Sequence, residues 1–290
     1  MNNILSIFLL ILSSLLLSSS FIKNSNRFTN KLHAATANYP TTYVYSNDVN
    51  LANALCDDFV SLAKKSINEK GSFFVAVPGG SVLKMLSGLK SKINDVDWTK
   101  VFWFYVNHKC VPSNDETSTH FKAQKYFMKD LYNTSIAKNV VSIELDDGIQ
   151  GHDSVAHKYE NRMKQLLLNQ PLINNLPIID LMIIGMGKDG HIGSLYPLRK
   201  EVTLSNSWVL TVDKKQPPSI TLSLPVMNAA RNIRVVLAGE DKAEACYFGI
   251  GKTKKPTEFP AAALTTNSIW MIDSKASTQL SAHKIPFINK

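Results

Sequence analysis

The stretch IIGMGKDGHIGSLYP, residues 183–197, ends an apolar run in glycines and then presents Asp189 and His191. An imidazole, with an ordinary pKa of about 6.5, takes and returns a proton near neutrality. Gly185 and Gly187 permit a compact turn, and Gly190 frees the backbone just before His191. Asp189 is close enough in sequence to orient the turn or the ring, and amides near Gly187 and Gly190 can face a developing oxyanion. A second stretch, FFVAVPGGSVLKML, closes a strand at Pro78-Gly79-Gly80 and opens a helix at Ser81. The free amides of such a turn favour an anion, and Ser81 either caps the helix or donates to a phosphate. The bland alternatives are a structural loop histidine and an ordinary serine-capped turn.

Several chemistries are excluded. The glycines at 185, 187 and 190 are read as a turn around His191 rather than as a dinucleotide site, and no nicotinamide cofactor is expected. No His/Cys/Asp/Glu spacing suggests a metal, and no cofactor is expected at all. Cys56, Cys110 and Cys246 are few, odd in number and far apart, which fits ordinary thiols rather than a disulfide framework. The formal net charge is +9, but residues 1–47 hold three cations and no acid. The remainder is mildly basic, suited to a small anionic ligand, and has no basic stripe interleaved with aromatics that would suit nucleic acid. Asn133-Thr134-Ser135 fits a glycosylation sequon, a triplet that also arises by chance.

The elements that must position these residues read as an α/β domain. TYVYS, FFVAV, VFWFYV, IIDLMIIG, WVLTV, SITLSL, IRVVLAG and SIWMID read as short strands between helical pieces. Ser46 or Asp48 is placed to cap a helix with apolar face Ala52, Leu55, Phe59, Leu62 and Ile67, ending at Gly71. Helices are also expected over 82–89, 121–132 and 155–168. Apolar strands alternating with helices predict a mostly parallel sheet with helices on both faces. Both glycine motifs then fall at carboxyl ends of strands, where such sheets bind ligands.

Residues 1–20 have the serine-diluted leucine core of a signal peptide, with Ser18 and Ser20 before Phe21. Residues 21–38 are basic, hydroxyl-rich and acid-free, as in a transit peptide. The pair predicts delivery to a plastid bounded by extra membranes, with secretion or endomembrane retention as the alternative. The folded domain is expected over 39–290, with no membrane contact after processing.

VPGGSVLKML, GMGKDGHIGSLYP and SITLSLPVMNAAR, in that order, resemble the 6-phosphogluconolactonase family over roughly residues 41–285. The resemblance implies a fold like that of the amino-sugar-phosphate deaminases and ribose-5-phosphate isomerases. It implies hydrolysis of 6-phosphoglucono-1,5-lactone to 6-phosphogluconate in the oxidative pentose phosphate pathway. It makes His191 the catalytic histidine and Gly79, Gly80 and Ser81 the phosphate loop. Lys214 matches a family lysine near the phosphate, with Lys215 one residue away. The implied partner is a phosphorylated sugar lactone, and the protein a monomer or weak homo-oligomer. The sequence departs from the family at Asn107-His108-Lys109, where Asp-Glu-Arg is usual, and at Ser219, where an arginine is usual. Lys109 keeps a point charge for the anion but loses the arginine fork. His108 is either an exposed loop histidine or a replacement acid–base group. The relatives that deaminate amino sugars carry Asp at the position of Asn107 and Glu at that of Tyr196. The departures therefore argue against deamination or isomerisation and raise a non-catalytic sugar-phosphate binder as the alternative.

Overall fold

A computed structural model describes residues 39–131, 137–143, 145 and 152–290. The expected presequence, the sequon and the end of the helix expected at Tyr132 lie outside the described residues. In chain order the strands are β1 (Thr41–Tyr45), β2 (Phe73–Val77), β3 (Val101–Tyr105) and β4 (Asn107–Lys109). Then come β5 (Leu172–Ile173), β6 (Leu176–Pro177), β7 (Leu181–Ile184) and β8 (Val209–Val212). The last four are β9 (Ser219–Leu222), β10 (Asn232–Leu237), β11 (Ile269–Asp273) and β12 (Ile288–Asn289).

Seven of them form a wholly parallel sheet in the order β12-β1-β11-β10-β7-β2-β3. Strands β2 and β7 are buried at every position, which is why they read as continuous apolar runs rather than alternating ones. Because β3, β2, β7 and β10 are neighbours, the chain leaves their carboxyl ends side by side. Pro78-Gly79-Gly80 follows β2, Asn107 follows β3, Gly185 to His191 follows β7, and Ala238-Gly239 follows β10. The sheet order thus gathers segments that lie far apart in the sequence.

One expectation fails here. WVLTV and SITLSL do not join the parallel sheet. β8 and β9 form a hairpin, and β9 also pairs antiparallel with β4, with Asn107 opposite Thr221 and Lys109 opposite Ser219. Only residues 213–218 separate β8 from β9, too few for the crossover a parallel pair needs. This small sheet is stitched to the large one: the Leu222 amide donates to Val106 O at 2.8 Å, and the Val106 amide to Val77 O at 2.9 Å.

The first helix, α1 (Asp48–Lys70), stops at Gly71 as expected, but its cap is Asn47, whose Oδ1 accepts from the Asn50 amide at 2.8 Å. Its buried stripe is Leu51, Leu55, Cys56, Phe59, Val60, Ala63 and Ser66, turned from the expected one because Ala52, Leu62 and Ile67 lie at its margins. Phe59 packs on Phe73 and Trp103, each with ring centroids 5.4 Å away, and Trp103 on Phe127 at 5.5 Å. That aromatic cluster fixes β2 and β3, and with them the turns at their carboxyl ends. Helix α2 (Ser81–Met85) passes into a 3-10 segment, Leu86–Lys92. Helix α3 (Thr119–Ala123) continues through a π turn at Gln124–Met128. No helix among the described residues is long and apolar enough to cross a membrane.

Candidate active site

The four carboxyl-end segments enclose a cleft of about 430 Å³. Gly79, Gly80, Ser81, Lys109, Gly187 and His191 all line it, as do Asn107, Gly193, Tyr196, Lys215 and Lys242.

Asp189 does not line the cleft; it stands behind His191. Its Oδ1 lies 2.5 Å from His191 Nδ1 and also accepts from the His191 amide at 3.2 Å. A carboxylate at Nδ1 holds the ring proton there and leaves Nε2 with its lone pair. Partial burial pushes the Asp189 carboxyl up, but the hydrogen bond and charge of His191 and the local amides outweigh it. Its pKa is held below the usual carboxylate range. On its other side the imidazole meets Tyr196, ring centroids 4.7 Å apart.

Two glycines are demanded by this packing. A Cβ on Gly187 would lie 2.1 Å from His191 Nδ1 and 2.6 Å from Asp189 Oδ1, so the pair occupies the place of a side chain. Gly190 has φ +83°, and a Cβ there would fall 2.3 Å from the Phe259 ring. The turn after β7 is therefore packed against the imidazole at Gly187 and against Phe259 at Gly190.

Asn107, whose family counterpart is charged, is a tie between the two glycine segments. Its Oδ1 accepts from the Gly79 amide at 3.1 Å, and its Nδ2 donates to Ser194 Oγ at 3.4 Å. Ser219 donates to the same Ser194 Oγ at 3.0 Å. Asn107, Ser194 and Ser219 thus make a neutral hydrogen-bonded seam.

His108 is a correction. It is neither an exposed loop histidine nor an acid–base group of the cleft, being only 1% exposed. Alternation along β4 sends Asn107 and Lys109 to the cleft and His108 to the other face. There Nδ1 lies 2.7 Å from Lys109 O, and Nε2 accepts from the His120 amide at 3.1 Å. Burial pushes its pKa down to about 4, against the opposing pull of the Lys109 carbonyl. His120, hydrogen-bonded to Tyr105 Oη at 2.8 Å, is also pushed down by burial.

The cationic lining differs from expectation in two ways. Lys215, not Lys214, reaches the cleft wall, although both amines sit over the Tyr196 ring, at 5.0 and 5.3 Å from its centroid. Lys242 was not foreseen. It follows the carboxyl end of β10, after IRVVLAG, and its Nζ donates to Met186 O at 3.1 Å. Its place just beyond a strand end was the available signal. Among the described residues Lys109, Lys215 and Lys242 form no ion pair within 4 Å, although Lys109 lies near enough to Asp115 to lower its pKa, and no Asp or Glu lines the cleft. No group of three or more His, Cys, Asp or Glu among the described residues is placed to hold a metal.

A cleft with three lysines, helix-start amides and one oriented imidazole is that of an enzyme acting on a small anionic molecule. Comparison with known proteins gives the family. The model of the glucosamine-6-phosphate isomerases/6-phosphogluconolactonase family matches residues 46–272. The chain is 30% identical over 246 residues to 6-phosphogluconolactonase 3, chloroplastic, of Arabidopsis thaliana, covering 82% of this chain and 74% of that one. It is also 30% identical to the probable 6-phosphogluconolactonase 1 of the same plant, over 83% of this chain and 94% of that one. In fold it is similar to 6-phosphogluconolactonase from Trypanosoma cruzi, with a TM-score of 0.71 at 20% identity over 84% of this chain and 98% of that one. The chain belongs to the glucosamine-6-phosphate isomerase/6-phosphogluconolactonase family.

Proposed function

We propose that the chain hydrolyses 6-phosphoglucono-1,5-lactone to 6-phosphogluconate, with His191 as general base and then general acid. His191 Nε2 takes a proton from water as the water oxygen attacks the lactone carbonyl carbon. The carbonyl oxygen becomes an oxyanion; the Gly187 and Gly190 amides expected to face it are bonded within the turn, to His191 O at 2.9 Å and Gly187 O at 3.0 Å. When the tetrahedral carbon collapses, the bond to the ring oxygen breaks, and the imidazolium returns its proton to that oxygen. Asp189 stays ionised throughout and stabilises the imidazolium from Nδ1. The anionic tail of the sugar is held by the amides around Gly80 and Ser81 and by Lys109, Lys215 and Lys242.

The observation that carries this reading is the shared cleft: an imidazole held at Nδ1 and three lysines line one cavity. The same lining speaks against deamination or isomerisation, because Asn107 and Tyr196 supply no carboxylate for proton transfer on an open-chain sugar. The seam of Asn107, Ser194 and Ser219 joins these segments through neutral hydrogen bonds, which supports an intact site over a purely binding relative.

The test is the rate of opening of freshly made lactone above the spontaneous rate. The chain accelerates it, and His191→Asn removes the acceleration by roughly 10²–10⁴-fold. Absence of acceleration by the unaltered chain, or ketose formation from glucosamine 6-phosphate, would overturn the proposal. The same reading places the enzyme in a plastid: residues 1–38 have the composition of a two-part address, and a relative is named chloroplastic. A fluorescent fusion carrying that segment should accumulate in plastids, and export from the cell would contradict it.

A further inference from the structure

In the hairpin loop that carries Lys214 and Lys215, residues 213–217 make no backbone hydrogen bond outside the strands among the described residues, and the loop is tied at its far end, where Pro218 O accepts from the Cys110 amide at 2.8 Å. The loop is exposed from Asp213 to Gln216. A free loop of this kind would spread its lysines over many positions, at an entropic cost on binding an anion. Two side-chain contacts limit that freedom. At one, the Lys214 and Lys215 amines rest over the Tyr196 ring, which itself touches His191. At the other, Arg199 Nη2 bonds Asp213, the residue before the lysine pair. Arg199 is anchored in turn by Glu201, at 3.1 and 3.3 Å, and the Glu201 side chain is only 3% exposed. Tyr196 and Arg199 belong to one short segment, and Leu198 of that segment is fixed by its amide to Thr257 O at 2.7 Å.

We propose that Arg199 and Asp213 are positioning residues: they strap the lysine loop to the segment beside His191 and so hold Lys215 on the cleft wall. This rests on the reading of the cleft as a sugar-phosphate site, but it concerns anion affinity and not the chemical step. Neither residue lines the cleft.

The informative variant is Asp213→Asn. Asp213 is exposed, so no buried group is stranded when the strap is cut. The two accounts of the change differ in sign. Removing a negative charge near a cationic cleft should tighten binding of an anion if charge alone acts. Loss of the strap should weaken it, by about two- to fivefold, the scale of an exposed ion pair. Calorimetric titration of the purified full chain with 6-phosphogluconate and with inorganic phosphate reads this directly, whether or not the protein turns over lactone. Lactone kinetics read it a second time, as a KM raised by the same factor at unchanged kcat.

Weaker binding of both probes by Asp213→Asn, an unchanged thermal midpoint and recovery in Asp213→Glu are expected. Unchanged or tighter binding, or a loss that falls on kcat with KM unmoved, would overturn the strap. If the unaltered chain fails to hydrolyse lactone yet Asp213→Asn still binds phosphate more weakly, the functional reading fails while the strap stands.

Discussion

Asp189 and His191 are two positions apart, and their geometry depends on a third residue that contributes no functional group. Gly187 leaves the space that the imidazole fills, since its Cβ would lie 2.1 Å from Nδ1. Gly187→Ala should therefore displace the ring and cost most of the lactone-opening rate, while circular dichroism and the melting temperature stay close to those of the parent. Asp189→Asn keeps the shape and removes the charge opposite the imidazolium. It should lower kcat by tenfold or more, but by less than His191→Asn, because an imidazole in the wrong tautomer still outperforms none. A rate for Asp189→Asn equal to that of the parent would mean that Asp189 serves the turn alone. This level was the most legible in the sequence. His191, Asp189 and the glycines announce themselves by type and spacing, whereas the choice between Lys214 and Lys215 depends on the local path of a loop, which adjacent letters do not encode.

At the level of elements, β3 and β4 set the cleft through Asn107, which joins the turn after β2 to the turn after β7. Asn107→Asp preserves the acceptor for the Gly79 amide and replaces the donor to Ser194 Oγ with an acceptor toward which that hydroxyl can turn, so the fold should tolerate it. It also places a carboxylate on the cleft wall, and the affinity for 6-phosphogluconate should fall several-fold in a manner relieved by salt. Affinity that rises or stays constant would place Asn107 away from the anion. The parallel strands were readable because burial on both faces makes them unbroken apolar runs, as in FFVAV and LMII. The second sheet was not, because β4 is three residues long and its partner β9 lies over a hundred residues onward. For the same reason His108 was misjudged. A three-residue strand gives too little alternation to show which side is buried.

For the whole molecule, His108 links stability to pH. Its folded pKa of about 4 lies below the ordinary 6.5, so between those values the unfolded chain binds a proton that the folded one refuses. The contribution is fully present above about pH 6.5 and is lost as pH falls towards 4, an effect of about 3 kcal/mol. Burial of His120 acts in the same direction. Denaturant midpoints measured from pH 7.5 to pH 4.5 should fall, and His108→Gln should flatten part of that slope. An identical slope in the variant would assign the acid sensitivity elsewhere. The sheet order brings four distant carboxyl ends to one edge, and the functional reading depends on what they hold in common. The most direct measurement is a crystal structure with 6-phosphogluconate bound. The account predicts the phosphate among Gly80, Ser81 and the lysine amines, and the carboxylate about 2.6–3.2 Å from His191 Nε2. A phosphate bound elsewhere, or a carboxylate facing away from His191, would contradict it.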